Sequence, residues 1–250
     1  MLMIINADDL GLSITVNKAI FNLLAGGHIT STSLLANAPA TEDAVVELRR
    51  QKNRSFGVHL NVTGFHPLTR NAELSPILDS TGCFAGNSIR STPITWQLRE
   101  AIFQEWSTQI DRLFAMGLTP SHIDSHHHVH TIPGLFFVLK RVQRRFGIRK
   151  VRISKNIYST KNQASHSLLL RKRIWNTALR QYYPTITTGG FTNLVDFFDA
   201  AQHQKIRCPS VEIMVHPGGA GYGEETELLV TSWRDLLPFQ VTLIDFSSLN

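Results

Sequence analysis

Short apolar, β-rich runs alternate with stretches of helical periodicity from residue 2 to residue 244, and this alternation restricts the chain to α/β architectures with parallel strands and right-handed crossovers. Residues 2–7 read as a strand, and Ser13 reads as the N-cap of a helix carrying Val16, Ala19, Ile20, Leu23 and Leu24. Residues 31–37 form the next expected strand, Thr41 caps a helix ending near Arg50, and 55–61 is a third strand. A helix over 96–116, a strand over 121–125, a helix over 134–146 and a strand over 151–153 follow, then a basic helix around 167–175. The pattern ends with a short strand near Ile186, a helix from about 193 to 201, and strands at 211–215 and 241–244. About seven or eight strands, with no G-x-G-x-x-G after the first, favour a TIM-like (β/α) barrel over an open doubly wound sheet. One domain, 1–250, is expected, with an irregular insertion at 64–95 that carries Pro67, Pro76, Gly82, Gly86 and Pro93. Such loops commonly wall an active site.

With 250 residues, 42% of them hydrophobic and 18% charged, the chain has material for one full core. Cys83 and Cys208 are the only cysteines and stand in no C-x-x-C spacing, so neither a disulfide framework nor a thiolate metal site is indicated. No basic segment precedes Asp8 and Asp9, and no apolar run approaches a membrane span, which places the expected location in the cytoplasm. The net charge of +6 is unevenly spread: residues 125–195 hold thirteen Lys and Arg and no Asp or Glu. A block of one sign is either a solvated surface or the footprint of an anionic partner, such as a phosphate-bearing substrate or a lipid surface. The segment 167–175 reads as a basic amphipathic helix, so the 140–180 region is a candidate for peripheral membrane contact. No helix-turn-helix or RNA-binding signature accompanies it, and no nucleic-acid partner is expected.

Chemistry concentrates at strand ends. Asp8 and Asp9 in Asn6-Ala7-Asp8-Asp9-Leu10-Gly11 follow the first strand; a turn with Gly11 at its bend is the plain alternative. His59 ends the third strand, where a lone histidine would be an ordinary core residue. Five histidines fall in the nine residues His122-Ile123-Asp124-Ser125-His126-His127-His128-Val129-His130. If that segment stays extended, His122, Asp124, His126 and His128 share one face and His127 takes the other. One carboxylate and two imidazoles from three strand ends would make a three-ligand site with a position open to water. The remaining polar residues nearby would orient ligands or substrate. His216, after the apolar run 211–215 and before Pro217-Gly218-Gly219, is either the start of a loop or a proton donor. Glu212 would hold a neighbouring side chain.

These motifs, together with Thr30-Ser31-Thr32, Gly57-Val58-His59-Leu60 and Glu212-Ile213-Met214-Val215-His216-Pro217, run along nearly the whole chain. They resemble those of the YdjC and chitooligosaccharide-deacetylase group of carbohydrate deacetylases, which includes hopanoid-biosynthesis-associated members. The resemblance implies a distorted (β/α) barrel and a homodimer. It implies one divalent metal ion, Mg2+ or Zn2+, held by Asp9, His59 and His126. It assigns Asp8 as the base and His216 as the acid in removal of an N-acetyl group from an amino sugar. Choosing His126 over His128 as ligand rests on the resemblance alone. Asp124, His128, His130, Asn61 and Arg152 are left as candidates for orienting the ligands or touching substrate, with Arg152 able to meet an anionic group or to form a surface ion pair. The sugar could be a soluble oligosaccharide, another acetylated glycan or a lipid-linked molecule. Two other readings fit an Asp/His/His set: a non-haem iron oxygenase, and a non-enzymatic metal-binding protein built on the histidine run.

Overall fold

The structure, a computed structural model, describes residues 1–51, 55–203 and 206–250. Seven parallel strands form one curled sheet: β1 (Leu2–Leu10), β2 (Ser31–Leu34), β3 (Ser55–Leu60), β4 (His122–Ser125), β5 (Gly190–Asn193), β6 (Ser210–Val215) and β7 (Thr242–Leu243). Their order is β4-β3-β2-β1-β6-β5, and β7 pairs with the first residues of β1. Helices α1 (Ile14–Ala25), α2 (Thr41–Arg50), α3 (Trp96–Ala115), α4 (Phe136–Phe146), α5 (His166–Gln181), α6 (Leu194–His203) and α7 (Gly223–Val230) connect the strands. The open side between β4 and β5 is bridged by single pairings, Ile123 with Val151 and Lys150 with Ile186, and by the Asn156 N–H donating to Phe191 O. The result is a distorted TIM-like barrel in which residues 151–153 and 186 make bridges instead of the expected strands.

Period-two alternation along β1 separates two environments. Met3, Ile5 and Ala7 join the main apolar core beneath the helices. Ile4 faces inward and packs with Phe246 and Leu249, so the C-terminal segment plugs the barrel from within. Above that plug the lining turns polar. His122 stacks on Phe246 with ring centroids 3.5 Å apart, and its imidazole lies against Gly57 of β3, where any Cβ would come within 2.4 Å of the ring. Burial lowers the His122 pKa to about 3, outweighing the upward pull of Asp124, so the ring is neutral packing.

Several local details depart from the sequence expectations. Ser13 caps α1 by accepting from the Val16 N–H, but Thr41 does not cap α2. Its hydroxyl donates to Leu35 O and Ala38 O instead. The histidine run leaves the strand at Ser125 and turns through a 3-10 segment, His126–Thr131, with φ of 51° at His127 and 55° at His128; the expected alternation through His128 therefore fails. Strand β5 and helix α7 were not expected at all. The insertion 64–95 contains two 3-10 turns, Ala72–Ile77 and Gly86–Arg90. Leu74, Ile77, Phe84 and Ile89 anchor it in the core. Among the described residues no helix is long and apolar enough to cross a membrane.

Candidate active site

The two adjacent acids reach the same cavity because β1 is bulged. In a regular strand Asp8 and Asp9 would point to opposite faces. Here the register with β2 shifts between Ala7 and Leu10, and Asp9 takes φ of 66°, a left-handed conformation that a non-glycine residue adopts at a cost. Both carboxylates then line one cavity of about 360 Å³ with His59, His126, His127, His128, His216, Met214, Tyr222, Asn87 and Arg90. Asn87 and Arg90 come from the 64–95 insertion, which thus walls the site. Arg90 also donates to the His127 carbonyl oxygen.

Asp9, His59 and His126 offer ligand atoms that all lie within 4.8 Å of one another. Asp9 Oδ1 is 2.8 Å from His126 Nδ1 and 3.3 Å from His59 Nε2, yet it is buried without a hydrogen bond of good geometry. His59 Nδ1 lies 2.8 Å from Asp124 Oδ1, its β-sheet partner. A proton on Nδ1 donated to that carboxylate leaves Nε2 as a bare lone pair, the arrangement that orients metal-bound imidazoles. The donor set therefore fits a divalent cation. Burial would raise the Asp9 carboxyl, but His126 and His59 beside it hold it far below the usual carboxylate range.

A second acid cluster, Asp8, His59 and Asp124, also has ligand atoms within reach of each other, but Arg152 already serves it. This fully buried guanidinium donates from Nη1 to Asp8 Oδ2 and from Nη2 to Asp8 Oδ1, each at 2.6 Å. It also donates from Nε to Glu212 Oε1 at 2.7 Å, and Nη2 lies 2.8 Å from Asp124 Oδ2. The Phe191 ring lies 4.8 Å from the guanidinium carbon. Arg152 is thus neither a surface ion pair nor free to meet an anionic substrate, correcting both expectations. Glu212, pushed up to about 8 by burial against the pull of Arg152, adds little charge at neutral pH. Asp8, Asp124 and Glu212 thus share a single guanidinium. Burial lowers the His59 pKa, but Asp124 and Asp8 outweigh that and push it up to about 10.

Asp8 Oδ1 accepts from Arg152 and from Asn6 Nδ2, whereas Oδ2, among the described residues, accepts from Arg152 alone. Oδ2 keeps an acceptor position and lies 4.0 Å from His59 Nε2, beside the three-ligand cluster. His216 sits elsewhere in the cavity wall, its ring stacked on Tyr222 at 4.3 Å. Its backbone N–H donates to Glu225 Oε1 at 2.6 Å, and its Nδ1 is 3.9 Å from the same oxygen. Burial lowers the His216 pKa, opposed by Asp8 and Asp9. Burial raises the Glu225 carboxyl to about 7, with the His216 N–H pulling it down and Asp8 pushing it up.

The remaining expected residues divide. Asp124 orients His59, and His128 lines the cavity with Nδ1 buried and without a hydrogen bond among the described residues. His130 lies outside the cavity, where Nδ1 meets Ser125 Oγ and Nε2 meets Arg152 O. Asn61 serves the loop after β3: it accepts from the Thr63 and Gly64 N–H groups and donates to Asn37. Glu225 and Tyr222 were not anticipated. They lie in Gly221-Tyr222-Gly223-Glu224-Glu225, a stretch with no recognisable motif, and only the return of this segment against His216 gives them a role.

The family model described as "YdjC-like protein" matches residues 2–234. A carbohydrate deacetylase of Geobacillus stearothermophilus is 36% identical over 154 residues, covering 61% of this chain and 60% of that protein. One of Halalkalibacterium halodurans is 34% identical over 152 residues, with 59% and 62% covered. The chain thus spans about three fifths of the length of these two relatives. A carbohydrate deacetylase of Oceanobacillus iheyensis is 31% identical over 214 residues, 86% of this chain and 84% of that protein. Among solved structures, an Enterococcus faecalis protein described as a cellobiose-phosphate cleavage protein superposes with a TM-score of 0.77 at 23% identity, covering 98% of this chain and 97% of that one, and so shares the fold. With its barrel, its motifs and a match from the first strand to residue 234, the chain belongs to the YdjC-like family.

Proposed function

We propose that the protein is a metal-dependent carbohydrate N-deacetylase, which hydrolyses the N-acetyl group of an amino sugar to acetate and a free amine. The observation that carries this reading is the gathering of Asp9, His59 and His126 within 4.8 Å in a cavity that also holds an acceptor carboxylate, Asp8, and a separate imidazole, His216. The three relatives named carbohydrate deacetylases point the same way. Asp9, His59 and His126 would hold the ion, and two imidazoles with one carboxylate suit Zn2+ better than Mg2+. A divalent cation supplies Lewis-acid polarisation of the amide carbonyl and lowers the pKa of a nearby water.

The chain's own residues do the rest. Asp8 receives the proton of the attacking water at Oδ2, while Arg152 keeps the carboxylate fixed. Asp124 holds His59 in the tautomer whose Nε2 faces the cavity. His216 protonates the departing amine nitrogen, and Glu225 positions that ring and favours its charged form. An oxygenase would have no evident use for two proton-transfer groups, and the burial of His122 and His130 in structural contacts weighs against a metal-storage role. Acetate release should be assayed on a panel of N-acetylated glycans and glycolipids, with and without chelator. Release that chelator abolishes and Zn2+ restores is expected; no acetate from any member, or release indifferent to chelator, overturns the reading.

A further inference from the structure

Helix α5 is amphipathic in an unusual sense, because its outward face is apolar as well. Trp175, Asn176 and Leu179 bury its inner side. Leu170 and Ile174, one turn apart on the opposite side, are 59% and 60% exposed. Arg171 and Arg173 flank that stripe, both exposed. Beside α5, Phe137 of α4 is 61% exposed and stands edge-on to Tyr182 at 5.5 Å. The guanidinium of Arg144 lies 5.5 Å from the same Tyr182 ring. Scattered exposed apolar residues are ordinary, but here Leu170 and Ile174 stand between arginines on one helix, and Phe137 and Arg144 meet Tyr182 at that helix's C-terminal end.

The charges identify the occupant. Of the acids near this region, Glu100 is engaged by Arg141, Asp111 by Arg145 and Asp196 by Lys155. Among the described residues Arg144, Arg171 and Arg173 have no acidic partner. A second copy docked on this face about a twofold axis would offer the same patch in return, cations without a free acid to meet them, since Glu100, Asp111 and Asp196 are already engaged. A nucleic acid would meet the cations but leave Leu170, Ile174 and Phe137 without gain. An anionic bilayer satisfies both, with phosphate and carboxylate headgroups for the guanidinium groups and acyl chains for the apolar side chains.

We propose that α5, with Phe137 and Tyr182, docks the protein onto anionic lipid membranes. One flank of α5, with Leu168, Arg171, Lys172 and Trp175, lines a cavity of about 290 Å³ that shares Arg90 with the catalytic cavity. The docked helix thus adjoins, through Arg90, the cavity that holds Asp9, His59 and His126. Given the deacetylase reading above, on which this last step rests, the acetylated sugar is then one carried by a lipid.

The test is co-sedimentation of the full chain with vesicles of phosphatidylcholine alone and with about a third anionic phosphatidylglycerol. Binding only to the anionic vesicles, weakened by added salt, is expected. Leu170→Glu/Ile174→Glu should abolish it. Arg173→Glu, a change of two charges at about 1 kcal/mol each near the surface, should weaken it about thirtyfold. Acetate release from a soluble substrate should be unchanged in all variants, which also shows that they fold. No binding by the wild type, equal binding by Leu170→Glu/Ile174→Glu, or a dimer in sedimentation velocity that this variant dissolves would each overturn the proposal. Absence of vesicle binding by the wild type with acetate release intact sinks docking alone, whereas vesicle binding by the wild type without any deacetylation sinks the enzymatic reading alone.

Discussion

Glu225→Gln separates the chemistry of His216 from its placement. The amide can still accept from the His216 N–H, so the loop keeps its anchor, but it cannot stabilise an imidazolium. A full charge 3.9 Å from Nδ1 is worth about 4 kcal/mol at an effective dielectric of about 20. That is a ceiling for a site with other charges and some solvent. Taking about half, roughly 2 kcal/mol, the imidazolium loses about 1.5 pH units of support. The sign follows from Glu225, whose pKa is raised to about 7 chiefly by burial. Above that pH the wild type has a carboxylate beside His216; below it both proteins present a neutral group. The variant should therefore match the wild type on the acid side and fall about 10- to 30-fold in kcat on the alkaline side. KM should change little, because Glu225 does not line the cavity. The assay is acetate release against pH with the best substrate found. An unchanged alkaline limb, or a loss confined to KM, would refute the assigned role.

Two further outcomes concern the scaffold. Gly57→Ala would place a methyl within 2.4 Å of the His122 ring, which cannot retreat from Phe246; a loss of about 2–3 kcal/mol in denaturant unfolding is expected, and an unaltered midpoint would show that the ring can move. His122 and His130, lowered chiefly by burial to about 3 and about 4, are neutral in the fold, whereas the unfolded chain takes up their protons as pH falls below about 6.5. Their contribution to stability is thus present above about 6.5 and is lost on acidification. Between about pH 6.5 and 5 each should cost about 2 kcal/mol, measurable by urea unfolding across that range; stability constant to pH 5 would contradict their neutral burial.

Much of the barrel was legible because it is written in short apolar runs, Leu2-Met3-Ile4-Ile5 in β1 and Ile213-Met214-Val215 in β6, with Val58 and Leu60 in β3, and because Ser13 marks the start of α1. Strand β5 was not, since Gly190-Phe191-Thr192-Asn193 has no such run and is fixed by pairing with β6. The site was visible as polar residues at strand ends, but its geometry depends on features that periodicity conceals. A bulge aligns Asp8 with Asp9, and two left-handed residues swing His127 and His128 out of the strand pattern. Arg152 is the plainest case. A cation in a basic stretch reads as solvated, and only the return of Asp8, Asp124 and Glu212, distant in sequence, makes its burial tolerable.

The most direct measurement of the central claim is an anomalous-difference map from crystals grown with Zn2+, paired with metal content and turnover of Asp8→Asn and His126→Ala. One ion about 2.0–2.2 Å from Asp9, His59 and His126 is expected, retained without turnover in Asp8→Asn and lost with turnover in His126→Ala. An ion seated elsewhere in the barrel, or full acetate release from a His126→Ala protein without metal, would contradict it.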